Sequence, residues 1–137
     1  MTGERKSDEY YMGLALRQAA DAAVRGEVPV GAVAVTEDGR VIARAYNQVE
    51  MLKDGTAHAE MIALTQAAAG LGDWRLEGVT LYVTKEPCCM CAGAMVNSRL
   101  TRLVFGCGDP RCGAAGGALD LTNFPGMLHT VDVTGGV

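Results

Sequence analysis

The sequence lacks the features that mark a secreted or membrane protein. It contains no uninterrupted apolar run near the roughly 18–20 residues that a helix needs to cross a bilayer. Its N-terminal stretch, Met1–Glu9, is charged and polar, whereas a secretory signal has an apolar segment before its cleavage site. We therefore expect a cytoplasmic protein with no membrane partner.

An excess of positive charge is also missing. The chain carries 12 lysines and arginines against 16 aspartates and glutamates, which gives a net charge of −4. Overall charge therefore does not indicate a nucleic-acid binder, and any contact with RNA or DNA has to come from a local group of basic residues. The candidates are scattered along the chain: Arg40, Arg44, Lys53, Lys85, Arg99, Arg102 and Arg111.

The composition that remains is that of an ordinary globular protein. Apolar residues make up 49% and charged residues 20% of the 137 residues. This length is enough to bury a substantial core and is short for two domains. We therefore predict a single domain over residues 1–137.

The apolar pattern and the turn residues predict three helices and five strands. The helices are predicted over residues 8–26, 57–68 and 88–97. The expected start signals are Ser7, Thr56 and, at the first position of the third helix, Pro87. The strands are predicted over residues 30–35, 41–46, 80–84, 103–105 and 129–133. The first two strands should form a hairpin, and the helix between the third and fourth makes these parallel neighbours. The predicted fold class is α/β, with helices packed on a mixed sheet of about five strands.

The five cysteines favour a metal or redox site over disulfides, because the chain shows no secretion signal and the number of cysteines is odd. Cys88 and Cys91 are three residues apart at a helix start, so both thiolates can bind one ion. His58, at the start of another helix, is the candidate for a third ligand. Three protein ligands leave one tetrahedral position open, which is typical of catalytic rather than structural zinc.

Glu60 is the candidate proton carrier for such a zinc site. Two steps of a regular helix rotate by about 200°, so His58 and Glu60 cannot both face the metal from a regular turn. If His58 lies at the irregular start of its helix, the Glu60 carboxylate can reach the attacking water instead. The sequence therefore predicts Glu60 as the general base and acid.

Two other interpretations of the cysteines have to be weighed. Cys88 and Cys91 with Cys107 and Cys112 resemble a four-cysteine structural zinc site, although the last spacing is wrong for a zinc ribbon. A thioredoxin-like redox pair at Cys88 and Cys91 would leave His58 without a role. The three cysteines outside the predicted metal site, Cys89, Cys107 and Cys112, are expected to be small buried or half-buried residues.

The combination of motifs resembles a known family. His58-Ala59-Glu60 followed by Pro87-Cys88-Cys89-Met90-Cys91 matches the H-x-E and P-C-x-x-C signature of zinc nucleobase deaminases. The neighbouring sequence is similar to bacterial tRNA-specific adenosine deaminases of the TadA type. The segments that carry this second similarity are Glu27 to Ala32, Thr56 to Glu60 and Glu86 to Met95.

This resemblance implies a fold, a reaction and a set of binding residues. The implied fold is the three-layer α/β/α cytidine-deaminase-like fold, assembled as a homodimer. The implied reaction is hydrolysis of the wobble adenosine in a tRNA anticodon stem-loop to inosine by zinc-activated water. Asn47, Pro29 and Ala59 match positions that line the base pocket in the family, and Asp109 matches a loop position near the nucleic-acid backbone.

The chain departs from the family pattern in ways that leave other functions open. Lys85 occupies a position that is usually apolar, and the basic residue common just before Asp109 is absent. Asn123 and Phe124 stand where the family often has histidines. The alternatives are deamination of cytosine, of guanine, or of adenine or cytosine in single-stranded DNA at the same site. A non-catalytic, structural zinc-binding module is the alternative outside enzymes.

Overall fold

A five-stranded mixed sheet forms the centre of the computed structural model, which describes residues 4–137. The strands are β1 (Gly31–Val35), β2 (Val41–Tyr46), β3 (Thr80–Lys85), β4 (Arg102–Cys107) and β5 (Asp132–Thr134). Their order in the sheet is β2-β1-β3-β4-β5. The predicted α/β class with a mixed sheet is therefore confirmed. The first three residues of the predicted domain and of the charged N-terminal stretch lie outside the described residues.

The strand directions also agree with the prediction. β1 runs antiparallel to β2 and to β3, whereas β4 runs parallel to β3 and to β5. In the β1–β2 turn Gly39 has a φ of 88°, a left-handed conformation that glycine adopts without steric cost. The last strand begins at Asp132 and not at His129, because the Val131 N–H bonds to the carbonyl oxygen of Thr122 at 3.0 Å.

Residues 4–137 also form four helices. They are α1 (Asp8–Val24), α2 (Val49–Leu52), α3 (Ala59–Leu71) and α4 (Cys89–Asn97). Helix α1 begins as predicted, because Ser7 Oγ accepts a hydrogen bond from the Tyr10 N–H at 3.2 Å. The short helix α2 was not predicted. Within residues 4–137 no helix is both long and apolar enough to span a bilayer.

Two predicted helix starts were wrong. His58, in an extended conformation, is the N-cap of α3, while the Thr56 hydroxyl donates to Asp54 Oδ1 at 2.7 Å and so is not available as a cap. Cys88 is the N-cap of α4, with an extended backbone at φ −75° and ψ 177°, so Pro87 precedes the helix. Both corrections place a predicted metal ligand at the N-cap of a helix.

The two faces of the sheet are covered by different helices, as the predicted three-layer arrangement requires. Successive side chains of a strand point to opposite faces. Val33, Tyr82 and Val104 pack in one buried cluster with residues of α1. The alternate positions pack in the other cluster with residues of α3 and α4: Ala32, Ala34, Leu81, Val83, Leu103 and Phe105.

A buried carboxylate fastens the long segment that follows β4. Glu86 is 4% exposed, and its side chain accepts hydrogen bonds from the backbone N–H groups of Asp109 (2.8 Å), Ala115 (2.9 Å) and Gly117 (2.7 Å). A Cβ atom at Gly113 or Gly117 would overlap this carboxylate, so glycine is required at both positions. Glu86 thereby shapes the loop that faces the start of α4.

A second polar network ties α1 to the sheet. Both guanidinium NH groups of Arg102 donate to the Asp8 carboxylate, at 2.9 and 2.8 Å, and the Tyr82 hydroxyl donates to it at 2.8 Å. The hydrogen bond from Arg102 lowers the pKa of the Asp8 carboxyl below its ordinary value. Burial and the Asp8 contact raise the pKa of Tyr82 to about 12. Arg102 is thus occupied inside the fold and does not serve as a basic contact for nucleic acid.

We predict that Asp8→Asn lowers the free energy of unfolding by about 1–3 kcal/mol near pH 7, the usual range for a lost hydrogen bond to a charged group. Because the folded pKa of Asp8 is lowered, this stabilisation is present above the unfolded pKa of about 3.9 and is lost as pH falls through the folded value. Urea unfolding from about pH 7 to about pH 2 measures the gap between wild type and variant. Asp21→Asn, exposed on α1, is the control. A gap that stays constant with pH would contradict this account.

We predict that Glu86→Gln loosens the loop after β4, so that its backbone amides open to solvent more often. The amide of glutamine has one acceptor oxygen and cannot accept hydrogen bonds from all three backbone N–H groups, which leaves at least one of them unpaired. The expected loss in the free energy of unfolding is about 1–3 kcal/mol. Hydrogen exchange should show faster exchange at the amides of Asp109, Ala115 and Gly117, while exposed Glu77→Gln leaves them protected. Unchanged protection in Glu86→Gln would mean that the carboxylate does not hold the loop.

Candidate active site

Three potential metal ligands meet where α3 and α4 begin. His58 Nδ1 lies 3.6 Å from Cys88 Sγ and 3.5 Å from Cys91 Sγ. All the ligand atoms of this group lie within 4.8 Å of one another. The structure therefore brings together the three residues that the sequence predicted as metal ligands.

Local helix geometry produces this convergence. His58 and Cys88 are the N-caps of their helices, and Cys91 lies in the first turns of α4, fully buried. The first backbone N–H groups of a helix have no partner inside the helix and give its start a partial positive charge. Two such starts favour thiolate ligands and other negative charge at this point.

The donor set fits a zinc ion. With Zn–S of about 2.3 Å, Zn–N of about 2.0–2.1 Å and a tetrahedral angle, a nitrogen and a sulfur ligand should be about 3.6 Å apart. The two observed distances are 3.6 and 3.5 Å. Two thiolates with one imidazole and an open fourth position form the ligand set of a catalytic zinc site.

The Cys91 thiol needs a cation to ionise in this environment. Burial raises the pKa of the Cys91 thiol well above its ordinary value, and the neighbouring Glu60 carboxylate and Cys88 raise it further. A coordinated divalent ion reverses this effect and deprotonates the thiol outright. The burial that makes Cys91 inert as a free thiol therefore suits it as a ligand.

Glu60 lies beside the ligand cluster without being part of it. Glu60 is 4% exposed, lies in the first turn of α3 after the extended His58, and lines the same cavity as His58 and Cys88. Burial raises the pKa of the Glu60 carboxyl above its ordinary value. A carboxyl group with a raised pKa can take up and release a proton closer to neutral pH, as a general acid and base must.

A cavity of about 280 Å³ opens onto these groups. His58, Glu60 and Cys88 line one part of it, and Val28 and Val30 supply apolar surface. Its volume is near the lower end of small-ligand pockets, which begin at about 300 Å³. The space suits one flat ring system.

The four predicted substrate-binding residues divide into two groups. Asn47 is buried at 6% exposure and lines the cavity, and Asp109 lines it from the loop after β4. Pro29 is exposed and Ala59 is fully buried, and neither is among the residues that line the cavity. Val28 and Val30, on either side of Pro29, supply the wall that was expected from Pro29. The substrate roles of all four stay predictions.

Sequence reasoning missed a buried glutamate in the lining of the cavity. Glu27 is 5% exposed, and its carboxylate accepts hydrogen bonds from the N–H groups of Glu50 (3.0 Å) and Met51 (2.7 Å). It thereby fixes the start of α2 beside the cavity. The available signal was a glutamate near a proline, Glu27-Val28-Pro29, but its partners lie in a helix that was not predicted.

The prediction that Cys89, Cys107 and Cys112 are buried or half-buried was wrong, because all three are exposed. Cys89 is the residue after the cap Cys88, and one helical step of about 100° turns it away from the ligand cluster. Cys107 Sγ lies 3.6 Å from the Thr84 carbonyl oxygen. Cys107 and Cys112 are not part of the ligand cluster, so the four-cysteine site is excluded.

An ion pair lies in the lining of the cavity, between the end of β3 and the loop after β4. Lys85 Nζ lies 3.3 Å from Asp109 Oδ2. The backbone N–H groups of Cys112 and Arg111 lower the pKa of the Asp109 carboxyl, and Lys85 lowers it further. Asp109 is therefore an ionised, well-anchored group facing the space where a substrate would lie.

Comparison with known proteins agrees with this geometry. The family model of the cytidine and deoxycytidylate deaminase zinc-binding region matches residues 5–107. The chain is 48% identical over 130 residues to the tRNA-specific adenosine deaminase of Bacillus subtilis (strain 168), which covers 95% of this chain and 80% of that relative.

Two solved structures share the fold. One comes from studies of A-to-I editing by tRNA:A34 deaminases at the wobble position of transfer RNA. It has 46% identity and a TM-score of 0.89, and the match covers 93% of this chain and 98% of that chain. The other, guanine deaminase from Bacillus subtilis, has 35% identity and a TM-score of 0.72, and the match covers 75% of this chain and 66% of that chain. The cytidine-deaminase-like fold is thereby confirmed. The chain belongs to the zinc-binding cytidine and deoxycytidylate deaminase family and, within it, to the tRNA-specific adenosine deaminases.

Proposed function

We propose that the protein hydrolyses the wobble adenosine of a tRNA anticodon stem-loop to inosine. His58, Cys88 and Cys91 hold the zinc ion, and Glu60 moves the protons. The observation that carries the proposal is the buried Glu60 carboxyl beside three converged zinc ligands, in a cavity that fits one base. The similarity to a B. subtilis tRNA-specific adenosine deaminase supports the choice of substrate.

The residues divide the reaction between them. A zinc ion held by His58, Cys88 and Cys91 would act as a Lewis acid that lowers the pKa of a water molecule, so that the water loses a proton more readily and its oxygen can attack carbon C6 of the base. The Glu60 carboxylate takes a proton from that water and delivers it to ring nitrogen N1. It then carries the second water proton to the departing amino group, which leaves as ammonia while C6 becomes the carbonyl carbon of inosine.

The cavity walls account for recognition of the base. The base has to leave its stack to reach a cavity of this size, and the unpaired anticodon loop makes this inexpensive. Asn47 carries an amide that both donates and accepts hydrogen bonds, which suits the polar edge of a purine. Val28 and Val30 offer apolar contact to its ring. We propose that Pro29, between these two valines, and Ala59, just before Glu60, act by holding the lining residues in place.

We further propose that the chain is one domain that acts as a homodimer in the cytoplasm, where its tRNA substrate is found. Met51, Leu52 and Trp74 are large apolar side chains on the surface of the α2–α3 side, exposed by 49%, 56% and 53%. Exposed apolar groups of this size favour burial against a second copy.

The competing proposal from the same site is deamination of free guanine. It is favoured by the guanine deaminase structure with 35% identity, although the tRNA:A34 deaminase structure is more similar at 46%. The two functions differ in salt response, because a tRNA enzyme has to bind phosphates and a free-base enzyme does not.

We predict that zinc-loaded wild type converts adenosine to inosine in an anticodon stem-loop and that Glu60→Ala is slower by at least about 100-fold, the usual share of general acid–base catalysis. Liquid chromatography of digested RNA measures inosine, with cytidine, guanine and single-stranded DNA as parallel substrates. Turnover of guanine or DNA without turnover of the stem-loop would replace the tRNA assignment. Equal activity of Glu60→Ala would remove Glu60 from the mechanism.

We predict about one zinc ion per chain in the wild type and loss of most of this zinc in Cys91→Ser. Replacing a residue that only supports a metal ligand lowers metal affinity by about 10–100-fold, and removal of a ligand itself should lower it by at least as much. Cys89→Ser is the matched control, since it removes a neighbouring thiol that is exposed and outside the cluster. Metal analysis after dialysis measures both. Equal zinc contents in the two variants would contradict the assigned ligand set.

A further inference from the structure

The lining of the cavity is rich in carboxylates, which repel an anionic substrate such as RNA. Five carboxylate residues line it: Glu27, Glu50, Glu60, Glu86 and Asp109. Among the described residues that line it, Lys85 supplies the single lysine or arginine charge. An RNA phosphate close to Asp109 would be repelled by its carboxylate unless a cation lies directly beside it.

Most of these carboxylates already have partners. Glu27 accepts two backbone N–H groups and Glu86 accepts three. Asp109 Oδ1 accepts the N–H groups of Arg111 (3.0 Å) and Cys112 (3.2 Å). Its other oxygen, Oδ2, is the atom that pairs with Lys85.

Lys85 is placed to hold more than this one carboxylate. Its side chain is 48% exposed, and its ammonium lies 3.3 Å from Asp109 Oδ2. An ammonium group has three N–H donors, so one carboxylate oxygen leaves donors that can reach a second anion. Lys85 is also the last residue of β3, three positions before Cys88, so the backbone fixes it close to the reacting centre.

We propose that Lys85 is a specificity-determining residue that binds the phosphate adjoining the reacting nucleotide and shares its ammonium between this phosphate and Asp109. The proposal rests on the proposed tRNA function. A lysine binds phosphate as a point charge, and a contact of this kind releases a counterion from the RNA. Lys85 also cancels the repulsion that the Asp109 carboxylate would exert on a backbone phosphate.

A purely structural role for the ion pair predicts a different behaviour. A half-exposed lysine–aspartate pair contributes little to stability, and its loss would leave the salt dependence of the reaction as it was. Phosphate binding instead predicts an effect on substrate affinity and on its dependence on salt, with little change in the melting temperature.

Kinetics of the zinc-loaded enzyme on the anticodon stem-loop test the proposal with Lys85→Met, Lys85→Arg and the control Arg17→Gln. Arg17 is exposed on α1, which packs on the sheet face opposite to α3 and α4, and its replacement changes net charge equally. We expect Lys85→Met to raise KM about tenfold, more than it lowers kcat. The slope of log kcat/KM against log salt should become less negative by about 0.7, the value for one contact to a single strand. Lys85→Arg should restore the slope, and Arg17→Gln should keep it.

A neutral methylphosphonate linkage on either side of the wobble nucleotide identifies the phosphate. Neutralising the contacted linkage should reduce kcat/KM of wild type about tenfold and have no further effect on Lys85→Met. If Lys85→Met keeps the wild-type slope and responds to both linkages as wild type does, the proposal is wrong while the tRNA function stands. If wild type does not deaminate the stem-loop at all, both proposals are wrong.

Discussion

The convergence of two helix starts on one point is the constraint on which the rest of the site depends. His58 and Cys88 hold the extended conformation of N-caps, so their side chains leave the helices towards each other, and Cys91 completes the group from within α4. The same arrangement directs two sets of unpaired backbone N–H groups at the metal position. Because Glu60 follows the irregular start of α3, it can lie beside the ligands without competing for the metal.

Two buried glutamates hold the walls of the cavity in place around this point. Glu27 holds the start of α2, and Glu86 holds the loop after β4, each through backbone N–H groups. Both walls are thus fixed by carboxylates that take no part in the chemistry. The result is an acidic cavity for an anionic substrate, and the Lys85 ammonium offsets part of that negative charge beside Asp109.

The sequence predicted the ligands because their chemistry is carried by residue types and short spacings. Runs of β-branched and aromatic residues bounded by turn residues likewise predicted the strands, and the helix between β3 and β4 predicted that these two are parallel. The wrong or missed features depend on particular hydrogen bonds that the residue pattern does not reveal. The Thr56 hydroxyl donates to Asp54, two residues earlier, and the start of α2 is stabilised by Glu27, 23 residues before Glu50. The exposure of Cys112 depends on the path of the loop after β4, which Glu86 holds through the Asp109 N–H, 23 residues along the chain.

Reaction of the zinc-loaded enzyme with full-length tRNA in ¹⁸O-labelled water tests the central claim most directly. Hydrolytic deamination at the wobble position predicts one ¹⁸O atom in each inosine formed there and one ammonia released per inosine. Unlabelled inosine, label at another nucleotide, or no release of ammonia would contradict the account.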